Sequence, residues 1–234
     1  NEIESFSGQT ALDPIRVYAG LKSADSAEER ADLAVKELRR TNAFDRDVLV
    51  IATATGTGWL DPYVVDSLEL MHKGNTAIVS QQYSYLPSWI SFLVDQARAR
   101  EAGRVLYDAV IEEWSALPVD ERPKLIVYGL SLGSFGGQEA FSGVNDIRRS
   151  VDGALFTGTP NETELWRTIT DNRESGSPEW QPKYQSGSSV VFASSREDIV
   201  SINPPKNDTR VLFLQHANDP VVWFNFNLLL HKPD

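Results

Sequence analysis

The chain has 234 residues, no cysteine, and 22 basic against 33 acidic side chains, a net charge of −11 at pH 7. A chain of this length can bury roughly three quarters of its unfolded surface, so it needs no disulfide or metal staple, and one domain spanning 1–234 is expected. The charge argues against nucleic acid as a partner, the absence of cysteine excludes a thiol nucleophile, and no run approaches the roughly 18 apolar residues that cross a bilayer.

Apolar runs of strand length occur at Ile15 to Leu21, Val48 to Thr53, Thr76 to Ser80, Leu125 to Tyr128, Ala154 to Phe156, Val190 to Ala193 and Val211 to Leu214. Several are too continuous to be half-exposed. Between the first four lie helical patterns. Ser26 and Glu29 have capping-box spacing ahead of Ala27, Ala31, Ala34, Val35 and Leu38, which share one helical face. Asp61 followed by Pro62 reads as an N-cap and first helical position, with Gly74 placed to end that helix. Ala102, Leu106, Val110 and Trp114 recur every fourth residue, and Val105, Ala109 and Leu117 widen the stripe.

Strands alternating with helices predict an α/β fold with a mainly parallel sheet covered on both faces. Functional groups then gather at the carboxyl ends of its strands. The alternation breaks from Thr159 to Ser188, a polar stretch carrying Trp166, Trp180 and Tyr184. It reads as a lid-like excursion over the site, or as an ordered surface loop with no gating role.

The most informative stretch is Gly129-Leu130-Ser131-Leu132-Gly133, entered from the apolar run ending at Tyr128 and followed by Ser134-Phe135-Gly136-Gly137. A Gly-x-Ser-x-Gly string arises by chance in roughly one chain in ten of this length, so its position decides. A strand leading into it and small residues leading out make it a nucleophile elbow. The chemistry needs a serine hydroxyl at the tip of a tight turn, with the next N–H, that of Leu132, facing the same carbonyl.

A nucleophilic serine also needs an acid, an oxyanion site and a base. Asp219 is the candidate acid: it follows the run Val211 to Leu214, downstream of the serine, in Gln215-His216-Ala217-Asn218-Asp219-Pro220. It also suits an N-cap before Pro220. A second oxyanion donor is expected from Ala54-Thr55-Gly56-Thr57-Gly58-Trp59, at Thr55 or Gly56. The same loop is not a dinucleotide fingerprint, because it lacks a third glycine and no acid ends the next strand; no cofactor and no metal are expected.

There are three histidines. His72 lies in a helix before the elbow, and His216 sits three positions before Asp219. His231 follows Asp219 by only 12 residues, where a helix of about 11 residues, a strand of about 5 and their loops normally intervene. The expected base therefore lies beyond Asp234, with His231 as the alternative. Trp59, Tyr83, Tyr85 and Trp89 follow strand ends and are candidates to line an acyl or glycan pocket, or else packed core aromatics.

The strings Ala54-Thr55-Gly56-Thr57-Gly58-Trp59-Leu60-Asp61-Pro62, Gln82-Tyr83-Ser84-Tyr85-Leu86-Pro87-Ser88-Trp89, Ser131-Leu132-Gly133-Ser134-Phe135-Gly136-Gly137, Gly176-Ser177-Pro178-Glu179-Trp180 and Gln215-His216-Ala217-Asn218-Asp219-Pro220 resemble the actinobacterial α/β-hydrolase catalytic-domain family, whose members usually follow a multi-pass membrane region. The resemblance implies a membrane-tethered, extracytoplasmic serine esterase or acyltransferase acting on cell-envelope lipids, with Ser131 as nucleophile and Asp219 as acid. It also implies a further segment past Pro233 ending in a glycine- and histidine-rich string. The expected partner is a lipid or other small ester. The competing class is a non-catalytic α/β module that binds a lipid or a protein.

Overall fold

Seven parallel strands form the frame of the computed structural model, which describes residues 2–87, 90, 94–201 and 211–223. In chain order the strands are β1 (Ile15–Ala19), β2 (Val48–Thr53), β3 (Thr76–Gln81), β4 (Lys124–Leu130), β5 (Gly153–Thr157), β6 (Val190–Ala193) and β7 (Val211–Leu214). In space they run β1-β3-β2-β4-β5-β7-β6. The elbow strand β4 is therefore the middle of the sheet. All six residues of β2 and of β3 are buried, as expected where both faces of a parallel sheet are covered.

The longer helices are α2 (Ala27–Arg40), α3 (Pro62–Met71) and α4 (Gln96–Ala116); α5 (Leu132–Gln138), α6 (Val144–Ser150) and α7 (Glu164–Asp171) are shorter. Short turns of helix also occur at α1 (Glu2–Ser7), α8 (Arg196–Ser201) and α9 (Pro220–Trp223). Alternation along β2 divides the core. Leu49 and Ile51 join Leu38 of α2, Leu106 and Val110 of α4, Ile147 of α6 and Trp166 of α7. Val48, Val50 and Ala52 face the other way, toward Val64, Val65 and Leu68 of α3. Crossovers of one hand explain the division. The chain steps toward β6 through α2, α4 and α7, and toward β1 through α3.

The local start signals read from the sequence are present as atoms. Ser26 and Glu29 form both halves of the capping box of α2. The Asp61 carboxylate accepts the Tyr63 N–H ahead of α3, and Pro62 is its first residue. The Gly74 N–H closes that helix by donating to the Glu69 carbonyl at 2.8 Å.

The first half of the excursion over 159–188 departs from expectation. Leu165, Trp166, Ile169 and Thr170 of α7 are buried, and the Trp166 indole donates to Gln215 Oε1, just past β7, at 2.8 Å. The first half of the segment is thus part of the core. Only the stretch after α7 runs over the surface, and there the Trp180 carbonyl accepts from Gln215 Nε2.

Candidate active site

Between Leu130 and Leu132 the backbone turns from strand to helix in one residue. Ser131 makes the turn at φ 54°, ψ −118°, a region that L-residues other than glycine occupy at a cost of about 1–3 kcal/mol. Glycines on either side allow the close packing. A Cβ on Gly129 would stand 2.5 Å from the Gly133 carbonyl oxygen, and one on Gly133 would stand 2.1 Å from that of Thr53. The Ser131 N–H donates to the Thr157 carbonyl of β5 at 2.8 Å, and Ser131 itself is half-buried. Leu132 opens α5 and is 1% exposed. As a first helical residue it has no carbonyl a turn earlier to take its N–H.

Asp219 lies two strands from the elbow, at the same carboxyl edge. Thr157 ends β5 opposite Leu130 on one side and Leu214 on the other. Gly158 follows at φ +57°, its N–H donating to the Leu214 carbonyl at 2.8 Å. A Cβ on Gly158 would stand 3.7 Å from Asp219 Oδ2. Asp219 is half-buried, its N–H donates to the His216 carbonyl at 3.1 Å, and Pro220 begins α9 directly after it. The carboxylate thus rests on the end of the strand that accepts the nucleophile candidate's N–H.

The loop after β2 departs from expectation at Thr55. Its N–H donates to the Trp59 carbonyl at 3.1 Å, its carbonyl accepts the Gly58 N–H at 2.9 Å, and its hydroxyl accepts the Trp59 N–H at 3.3 Å. A turn closed on itself in this way commits the Thr55 amide, which is not offered to a substrate oxygen. Gly56 sits buried within that turn.

Tyr83 is a correction of the same kind. It is 2% exposed, packs with Ala99, Ala102, Leu132 and Phe135, and its hydroxyl donates to the Ala54 carbonyl at 3.0 Å. Burial pushes its phenol well above the ordinary tyrosine range. Tyr83 therefore supports the site loop from beneath and does not line a pocket. Trp59 and Tyr85, at 49% and 74% exposure, are accessible. Trp89 and His231 lie outside the described residues.

The other two histidines separate by edge. His72 caps α3 where the chain turns into β3, at the amino edge of a parallel sheet and opposite Ser131. His216 is exposed at the carboxyl edge, and its carbonyl accepts both the Asp219 N–H and the Trp223 indole N–H. Among the described residues no three His, Asp or Glu side chains are grouped to hold a metal ion.

A cavity of about 910 Å³ lies away from Ser131 and Asp219. It runs beside the C-terminal half of α5, between Phe135, Gln138, Phe141, Leu165, Ile169 and Tyr184. Two neighbours of the site escaped the sequence reading, Gly158 and Thr159. The signal available was the Thr157-Gly158-Thr159 string directly after the apolar run ending at Phe156, where a parallel strand delivers residues to the functional edge.

Among curated proteins none matches this chain. A model of the alpha/beta-hydrolase family matches residues 15–234, which takes in all seven strands, the elbow and Asp219. The chain belongs to the alpha/beta-hydrolase family.

Proposed function

We propose that the protein is a serine esterase or acyltransferase working through a covalent ester on Ser131. The observation that carries this reading is the backbone of Ser131 itself, held at φ 54°, ψ −118° between the central strand and a buried helix. Such strain persists where the surroundings over-determine it, and it clusters at reacting groups. The position of Asp219 against the end of β5 supports the acid role.

In the proposed reaction Ser131 Oγ attacks the carbonyl carbon of an ester while a histidine takes its proton. The Leu132 N–H and a donor from the loop after β2 hold the developing oxyanion. The tetrahedral intermediate collapses, the histidine returns the proton to the departing alkoxide, and the acyl group stays on Ser131. Water or a second hydroxyl, deprotonated by the same histidine, then releases it. Asp219 orients the base. Trp59 and Tyr85 supply accessible aromatic surface for the substrate. An envelope lipid as substrate and a membrane tether in the parent protein extend the proposal and rest on the resemblance in the sequence alone; no helix among the described residues is long and apolar enough to cross a membrane.

A fluorophosphonate probe tests the reading. Stoichiometric labelling that disappears in Ser131→Ala is expected, and Asp219→Asn should slow it by about 10⁴-fold. Parallel His216→Ala and His231→Ala variants identify the base if it lies within the chain. Absence of labelling in the full-length protein would mark the chain as a binding module instead.

A further inference from the structure

Three consecutive residues at the end of β5 touch the three parts whose register the proposed chemistry requires. Thr157 accepts the Ser131 N–H at 2.8 Å. Gly158 lies against the Asp219 carboxylate. Thr159 places its hydroxyl 2.6 Å from Ser134 Oγ, one turn into the elbow helix. Gln138 completes the group, its Nε2 donating to the Ser134 carbonyl at 3.1 Å, to Ser134 Oγ at 3.0 Å and toward Thr159 Oγ1 at 3.4 Å. Ser134, Thr159 and Gln138 are 0%, 1% and 2% exposed.

The middle residue makes the outer contacts matter. Gly158 has the widest backbone freedom of any residue type and sits at φ +57°, and its N–H, donated to the Leu214 carbonyl at 2.8 Å, ties it to β7 and not to the elbow helix. The Thr159 hydroxyl is the anchor that ties the chain past this glycine to that helix. A valine and alanine pair would fill the same buried space without polar atoms to satisfy, but it would leave the loop without a directional fix.

We propose that Thr159 is a positioning residue: its hydroxyl, held by Ser134 and Gln138, locks the loop that supports Asp219 to the helix that carries Ser131. This rests on the serine-hydrolase reading above. It assigns Thr159 no contact with substrate. Its effect is on how far apart, and at what angle, nucleophile and acid are held.

The test uses Thr159→Val, Thr159→Ser, Ser134→Ala and the Thr159→Val/Ser134→Ala double variant, read by the second-order rate of fluorophosphonate labelling and by kcat and KM on a p-nitrophenyl ester. Thr159→Val and Ser134→Ala are each expected to lower the labelling rate and kcat by about tenfold or more, since small misplacements of reacting groups are costly, with KM little changed. Thr159→Ser restores the wild-type rate. The double variant loses no more than the worse single one, because both changes delete the same bond. If Thr159→Val does not fold, Ser134→Ala carries the test, since alanine suits a helical position.

A merely structural role would lower the melting temperature while labelling well below it stayed at the wild-type rate; that result, or losses that multiply in the double variant, overturns the proposal. Failure of the underlying reading looks different. Wild-type protein would then not be labelled at all, and both inferences fall together; labelling that is lost in Ser131→Ala yet intact in Thr159→Val and Ser134→Ala overturns only the positioning role.

Discussion

Replacing Gly133 by alanine adds one methyl group at the tightest contact of the elbow. That Cβ would stand 2.1 Å from the Thr53 carbonyl oxygen and 2.9 Å from that of Ala54, both backbone atoms at the end of a central strand, which cannot rotate aside as a side chain would. Reaching the shortest separation seen for real Cβ atoms requires a movement of roughly 1 Å. The helix has little room to shift, because one turn on, Gly136 is packed against α4 so closely that a Cβ there would stand 2.4 Å from the Ala99 carbonyl oxygen. Overpacking of this kind costs about 2–3 kcal/mol, or a fall of roughly 4–12 °C in melting temperature for a chain of this size.

The same displacement moves Ser131, two residues away, and a 1 Å error at a reacting group lowers the rate by about 10²-fold. Calorimetry and the fluorophosphonate labelling rate measure the two effects on one sample. Gly143→Ala is the control, since a Cβ there meets nothing within 4 Å and its backbone is extended; as the N-cap of α6 it should lose no more than about 1 kcal/mol, with labelling unchanged. Gly133→Ala that melts and labels like the wild type would refute the close-packed elbow.

Ser131→Gly should raise the melting temperature above that of Ser131→Ala, because glycine relieves a backbone cost of about 1–3 kcal/mol while losing about 0.5–1 kcal/mol through its freer unfolded chain; a value at or below that of the alanine variant contradicts the strain. Trp166→Phe should cost about 1–3 kcal/mol by leaving the buried Gln215 Oε1 without its donor, and Trp166→Ala about 3–5 kcal/mol; smaller losses in urea unfolding would mean that the segment after Gly158 is not packed into the core. Hydrogen bonds from the Ser194 N–H and hydroxyl, with the Ser195 N–H, hold the Asp198 carboxyl at about 2, below its ordinary 3.8. A folded value below the unfolded one gives stability that is present above about pH 4 and lost as the pH falls toward 2. Asp198→Asn should flatten that part of the stability profile, and an unchanged slope would count against the assignment.

Much of this protein was legible in its order of residues. The capping box of Ser26 and Glu29, the Asp61-Pro62 start, the apolar runs of β2, β6 and β7, and the turn at Ser131 each depend on groups within about four residues of one another, where hydrogen-bonding reach and allowed φ and ψ leave few alternatives. The alternation of those elements was enough to foresee a parallel sheet with its functional edge at the strand ends. Other features had no local signature. Tyr83 looks like a pocket aromatic until β3 is seen beside β2, where its hydroxyl finds the Ala54 carbonyl 29 positions away. The Thr55 amide looks free until the loop closes on Trp59. Gly158 and Thr159 gain their roles only because β7 returns to lie between β5 and the edge strand β6, which brings Asp219 against residue 158. Those contacts follow from strand order and register, chosen by how the whole sheet buries its two faces, and a buried surface shared by seven strands has no representation in any short stretch of chain.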